Sequence, residues 1–113
     1  MSGAFDGKSI LITGGSDGIG AELALQLAAP GVSLAIAART LERLQAVAQR
    51  CEEKGARVTA VRCDVSVEAD CRNFVETAAA HLGRIDILVN NAGVSGHAFS
   101  AHYTDQSRRF FPR

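Results

Sequence analysis

Four short apolar runs punctuate the chain: KSILITG at 8–14, VSLAIAA at 32–38, RVTAVRC at 57–63 and IDILV at 85–89. A helix-like stretch stands between each pair. Runs this short and this apolar read as strands buried on both faces of a parallel sheet; RVTAVRC alternates more, as an edge strand does. Between them, IGAELALQLAA (19–29) spaces Ile19, Leu23 and Leu27 four apart and stops at Pro30-Gly31. Thr40 stands where it can cap LERLQAVAQRCEEK, whose Leu41, Leu44, Val47, Ala48 and Cys51 share a face that ends at Gly55. Ser66 stands where it can cap a third helix, with Glu68 and Asp70 in the first turn, an apolar face of Val67, Cys71, Phe74, Val75, Ala78 and Leu82, and Gly83 at its end. Strand and helix alternating in this way predict a doubly wound α/β fold of the Rossmann type, a parallel sheet with right-handed crossovers and strand order 3-2-1-4.

Composition narrows the classes of function. With 113 residues the chain makes one small domain, and 47% hydrophobic against 21% charged residues excludes a disordered chain. Zero net charge offers no electrostatic footprint for nucleic acid or an anionic lipid surface, and the closing RRFFPR reads as a short solvated tail. The longest apolar stretches, such as LAIAA at 34–38, fall far short of a membrane span. The opening MSGAFDGKS lacks the basic and apolar regions of a secretory signal. Cys51, Cys63 and Cys71 are odd in number and form no CxxC pair, so buried free thiols are expected rather than disulfides or zinc. His81, His97 and His102 have no metal spacing. The expectation is a cytoplasmic protein with neither membrane nor nucleic-acid partners.

The chemistry lies in TGGSDGIG at 13–20, the turn between the first strand and the first helix. Free N–H groups at a helix N-terminus, aligned with its dipole, suit a pyrophosphate. Gly14 permits a tight turn, Gly18 admits a ligand to the backbone, and Gly20 lets helix and strand pack closely; Thr13 and Ser16 add hydroxyls. A glycine-rich turn without a ligand is the alternative. An NTPase phosphate loop is excluded, because Gly15 and Gly20 have the spacing but Ala21-Glu22 follow where lysine and a hydroxyl residue belong. At the end of the second strand stands Arg39 instead of the acid that would hold a ribose. An arginine there accommodates the 2′-phosphate of NADP, through a charge-assisted bond worth about 1.5–3 kcal/mol. At about 1.4 kcal/mol per decade, NADPH is expected to be preferred over NADH by about one to two orders of magnitude. A solvated loop cation is the other reading of Arg39.

TGGSDGIG resembles the Thr-Gly-x-x-x-Gly-x-Gly signature of the short-chain dehydrogenase/reductase family. NNAG (90–93) resembles its second signature, and CDVS (63–66) its Asp-Val after the third strand. The resemblance covers about residues 5–95. It implies pyrophosphate contacts along Gly14, Ser16, Asp17, Gly18 and Ile19, and phosphate recognition at Arg39. It further implies an adenine flanked by Asp64 and Val65, and an adenosine ribose side lined by Asn90, Ala92 and Gly93. Asp64 as a helix-entry residue, and Asn90 and Asn91 as turn formers, are the alternatives.

The family's catalysis requires a tyrosine with a lysine four residues on, together with a serine. The single tyrosine, Tyr103, is followed four residues later by Ser107, and the lysines, Lys8 and Lys54, lie far from it in sequence. No catalytic residue is therefore assigned. The expected organisation is a dinucleotide-binding half-domain over 1–95 and a divergent tail over 96–113, such as a frameshift, early stop, alternative ending or trimming would leave. The longer form would be an NADP(H)-dependent oxidoreductase of carbonyl/alcohol pairs, whereas this chain would hold cofactor without turnover. A non-catalytic binding or interaction module, self-associating through the exposed strand 85–89, is the other reading.

Overall fold

The structure, a computed structural model, describes residues 5–16 and 18–91. In chain order its elements are β1 (Ser9–Thr13), α1 (Gly18–Leu27), β2 (Ser33–Ala38), α2 (Leu41–Glu53), β3 (Arg57–Arg62), α3 (Glu68–Leu82) and β4 (Ile87–Asn90). The four strands form one parallel sheet in the order β3-β2-β1-β4, as the sequence predicts. β1 lies inside, buried at every residue, and its register fixes the rest: Ile10 pairs with Leu34 and Ile87, and Thr13 with Ala37 and Asn90.

Successive strand residues point to opposite faces, and each face has its own core. On one, Ile10, Ile12, Leu34 and Ile36 pack with Ala24 and Ala28 at α1 and with Leu44, Val47, Ala48 and Cys51 of α2. On the other, Leu11, Ala35, Ala37 and Val61 pack with Cys71, Phe74, Val75 and Ala78 of α3. Large and small residues trade places across the sheet. Phe74, fully buried, occupies the face on which β2 presents alanines, and burying such a side chain stabilises the fold by about 1.5–3 kcal/mol. Where β2 presents Leu34 and Ile36, α1 and the residue that follows it bring Ala24 and Ala28.

The same close packing shifts the expected helix faces. The buried line of α1 runs through Gly20 and Ala24, one residue on from Ile19 and Leu23, and Ile19 is 77% exposed. Small residues are buried there because α1 lies too close to the sheet for large ones. Leu41 and Val67, placed on apolar faces by their spacing, open their helices at the rim and are exposed. Thr40 is the N-cap residue of α2, but its side chain makes no cap bond. Ser66 does not cap α3: the helix begins one residue later, with Val67 at the cap position. All three cysteines are free and buried, as expected.

The strand expected over 85–89 is β4, and it begins two residues later. Ile85 instead joins the α3-side core, and Asp86 ties β4 to β1. The Asp86 N–H donates to the Ser9 carbonyl (2.9 Å), and the Ser9 N–H donates to the Asp86 carboxylate (2.8 Å). Arg84 donates to the same carboxylate at 2.6 and 3.0 Å. Burial raises the Asp86 carboxyl pKa, but the bonds from Arg84 and from the Ser9 N–H, with the charges of Arg84 and Lys8, outweigh it and hold the group below its ordinary value. β4 itself is half-buried and pairs with β1 alone among the described residues. Residues 96–113, expected to diverge, lie outside the described residues.

A group whose pKa is depressed by folding stabilises the fold above its unfolded pKa, and that stability disappears as pH falls through the folded value. Asp86→Ala is therefore expected to lower unfolding stability at pH 7 by about 1.5–3 kcal/mol in urea titration. The gap to wild type should narrow as pH falls below about 3.9; a gap independent of pH would show that the carboxylate charge is not what holds β4.

Candidate functional site

At the carboxyl end of β1 the chain turns through Gly14, whose φ of 70° lies in the left-handed region that favours glycine. The Gly15 N–H then donates to the Ala37 carbonyl (3.0 Å), which ties the turn to β2. α1 starts at Gly18 (φ 61°), where a side chain would stand in open space. Gly20 is the opposite case. A Cβ there would overlap the Gly14 carbonyl oxygen and lie 2.8 Å from Asn91 Nδ2. The three glycines thus divide into a turn at Gly14, open space at Gly18 and a tight contact of Gly20 with the turn; the turn and the close packing are those expected from the sequence.

Thr13 is fully buried, so its hydroxyl faces inward rather than toward a ligand. It donates to Asn90 Oδ1 (3.0 Å) and accepts from the Asn91 N–H (2.9 Å). The Asn91 side-chain amide reaches back to the Gly14 carbonyl at 3.4 Å. TGGSDGIG and NNAG, far apart in sequence, are thereby joined into one unit at the end of β1 and β4. The Asn90 side chain is turned into this link, so both residues hold the loop in place.

Beside the turn opens a cleft of about 400 Å³ at the carboxyl ends of β1, β2 and β3. Gly14 and Ser16 line one wall, Arg39, Thr40 and Arg43 a second, and Asp64 and Val65 a third. Ligands in doubly wound sheets bind at this end. The Asp64 carboxylate accepts from the Ser66 hydroxyl (2.7 Å) and N–H (3.0 Å), and its own N–H donates to the Asp70 carboxylate (3.0 Å). Ser66 thus serves the Asp64 loop as a donor, while α3 begins one residue beyond the position from which Ser66 would cap it. The two bonds from Ser66, and then the charges of Arg39 and Arg62, hold the Asp64 carboxyl below its usual range, so the cleft carries a fixed anion opposite its arginines. Cys63 also borders the cleft, but burial and its neighbour Cys71 push its thiol up to about 12, so it presents no thiolate.

Of the predicted site residues, the cleft brings together Gly14, Ser16, Arg39, Asp64 and Val65. Gly18, Ile19 and Gly20 form the first turn of α1, and Thr13 and Asn90 lie beneath it. Asp17, Ala92 and Gly93 lie outside the described residues, as does Tyr103. Sequence reasoning missed Arg43 and Asp70. Arg43 was findable, since it stands one helical turn after Arg39; Asp70 resembles any acid in a first helical turn until its bond to Asp64 is seen.

The sequence model of the family described as "short chain dehydrogenase" matches residues 8–110. Among curated relatives, an Arabidopsis thaliana protein called 11-beta-hydroxysteroid dehydrogenase-like 4A is 46% identical over 103 residues, which is 90% of this chain and 34% of that protein. The 11-beta-hydroxysteroid dehydrogenase A of Sesamum indicum is 47% identical over 89 residues, covering 78% of this chain and 26% of that protein. Among solved structures, a hydroxysteroid dehydrogenase from Escherichia coli superposes with a TM-score of 0.76 at 36% identity, covering 81% of this chain and 39% of that one. An NAD+-bound xylitol dehydrogenase gives 0.77 at 35% identity over 83% and 36% of the two chains. The chain spans about a third of the length of the curated relatives it matches.

Thr13→Val keeps the volume but leaves the partly buried Asn91 N–H without its acceptor, a loss of about 1 kcal/mol or more. Hydrogen exchange at Asn91 should accelerate in that variant and stay near wild type in Thr13→Ser. Equal protection in all three would show that the hydroxyl does not join the two motifs.

Proposed function

The chain belongs to the short-chain dehydrogenase family, and on that premise we propose that it forms the cofactor-holding part of an NADP(H)-dependent oxidoreductase of carbonyl/alcohol pairs. One observation carries the choice of cofactor: Arg39 lines the same cleft as the Gly14–Ser16 turn and the Asp64–Val65 wall. The donor set fits a dinucleotide. The open backbone at Gly18 and the N-terminus of α1 receive the pyrophosphate, with Ser16 adding a hydroxyl and Asp17 and Ile19 flanking it. Val65 and Asp64 border the adenine, Arg39 takes the 2′-phosphate, and Asn90, Ala92 and Gly93 stand on the ribose side. Thr13 acts one step back, by holding Asn90 and Asn91 against the turn.

When bound, the nicotinamide supplies or accepts hydride, and the protein contributes orientation and electrostatics. The substrate belongs to the alcohol/carbonyl class. The relatives are called hydroxysteroid dehydrogenases, whereas the structural neighbours include dehydrogenases of xylitol and glucose, so an alcohol is what their names share. Alone, this chain holds cofactor without turning it over, because Ser107 stands where a lysine would have to follow Tyr103.

Calorimetric titration of the chain is expected to give NADPH a dissociation constant about 10- to 100-fold below that of NADH. Arg39→Ala should bring the two to near parity by weakening NADPH alone. Equal affinities in the wild-type chain would refute the assignment of NADP, and cofactor-dependent carbonyl reduction by the pure chain would refute its inactivity.

A further inference from the structure

Asp64 is held on three sides within the connection from β3 to α3. Its carbonyl accepts from the Val67 N–H (2.9 Å), its Oδ1 takes both bonds from Ser66, and its N–H donates to Asp70 Oδ2 (3.0 Å). Among the described residues the second carboxylate oxygen, Oδ2, accepts no hydrogen bond, and Asp64 lines the cleft. The three ties differ in reach. Those to Val67 and Ser66 close a local turn and would move with it. The tie to Asp70 spans six residues and ends on α3, whose Phe74 and Val75 are fixed in the core. The Cys71 thiol reaches the Val65 carbonyl from the same helix at 3.5 Å, but a thiol is a weak donor. An acid at the third position of a helix ordinarily folds back on the cap residue. Asp70 holds that position, yet it reaches past Val67 to Asp64.

We propose that Asp70 is a positioning residue for nucleobase recognition: by holding the Asp64 N–H, it fixes the remaining Asp64 carboxylate oxygen where that oxygen accepts from the exocyclic amine of an adenine. The proposal rests on the reading of the Asp64–Val65 wall as the adenine border, and adds to it a residue that acts through Asp64 alone. An ionised carboxylate only accepts hydrogen bonds. Adenine offers it an amine donor, whereas hypoxanthine, of the same outline, presents a carbonyl oxygen at that place and is repelled. A carboxylate that drifts loses the bond to the amine and relaxes the penalty on the carbonyl at once. Choice between the two bases is therefore the quantity that Asp70 controls.

The test uses the full chain with NADPH and its deaminated analogue, in which hypoxanthine replaces adenine, titrated calorimetrically. The wild type is expected to favour NADPH by about tenfold or more. Asp70→Ala should cut that preference to about threefold or less, with the loss falling on NADPH. Asp70→Asn keeps an acceptor oxygen but no charge, and should hold the wild-type preference to within about twofold. Arg62→Gln removes the cation that lies 4.0 Å from the same Asp70 oxygen, and should leave the preference as it is. In the wild type the Asp64 amide should be protected from hydrogen exchange; the protection should vanish in Asp70→Ala and persist in Asp70→Asn. Matched thermal melts show that each variant is folded. A preference that survives Asp70→Ala overturns the proposal. So does an Asp70→Asn variant as indiscriminate as Asp70→Ala, which would assign the effect to charge at the helix start. An unprotected Asp64 amide in the wild type overturns it without any variant. Each of these three outcomes leaves the adenine wall in place, whereas a wild-type chain that binds both dinucleotides alike removes the wall and the proposal together.

Discussion

β1 is hydrogen-bonded on both sides and buried over its whole length, and the position of every functional group follows from its register. Because Thr13 stands level with Ala37 and Asn90, the three chain segments leave the sheet at the same height. The turn at Gly14, the bend at Arg39 and the Asn90–Asn91 pair therefore lie at one end of the sheet without any long loop having to find its place. A register slip of one residue would turn Ile10 and Ile12 toward the other core and carry Gly14 away from α1. The buried hydrophobic pattern thus enforces the geometry of a polar site at the end of the sheet.

Small residues perform a second task in that arrangement. Gly20 and Ala24 allow α1 to approach the sheet, and the approach brings the helix N-terminus to the end of β1. Tight packing and ligand geometry are one requirement here, met by one stripe of small residues. The exposure of Ile19 follows from the same rotation, since a helix that buries Gly20 and Ala24 turns its neighbour outward.

Strand order, the helix–strand alternation and the need for glycine at Gly14 and Gly20 were legible because each depends on local pattern: apolar runs, stop signals and a loop between two elements. On α1, Leu23 and Leu27 pack against the core as their spacing predicts, but Ile19 was misplaced because spacing alone cannot say how close a helix will lie to its sheet. Ser66 was misread for a related reason. The helix opens one residue later than its spacing suggests, and the Ser66 hydroxyl donates instead to the Asp64 carboxylate. Thr13 was expected to offer its hydroxyl to a ligand, but its inward hydrogen bonds to Asn90 and Asn91 cross 77 and 78 positions of sequence, which no local pattern reports. Arg43 went unnoticed although its place one helical turn after Arg39 marks it, because the pair was not considered together.

The cleft draws its walls from both helical layers. Arg39 and Arg43 belong to the β2–α2 junction on one face of the sheet, whereas Asp64 and Val65 lead into α3, which packs on the other. Asp70, in the first turn of α3, holds the Asp64 backbone and so makes that wall move with its helix. A molecule lodged in the cleft consequently acts as a strut between two layers that otherwise meet only through the sheet. Occupancy would be felt as mechanical stiffness far from the point of contact, at the packing of Phe74 as much as at the arginines. By mass action it would raise the resistance of the whole domain to unfolding, in proportion to the logarithm of ligand concentration above the dissociation constant.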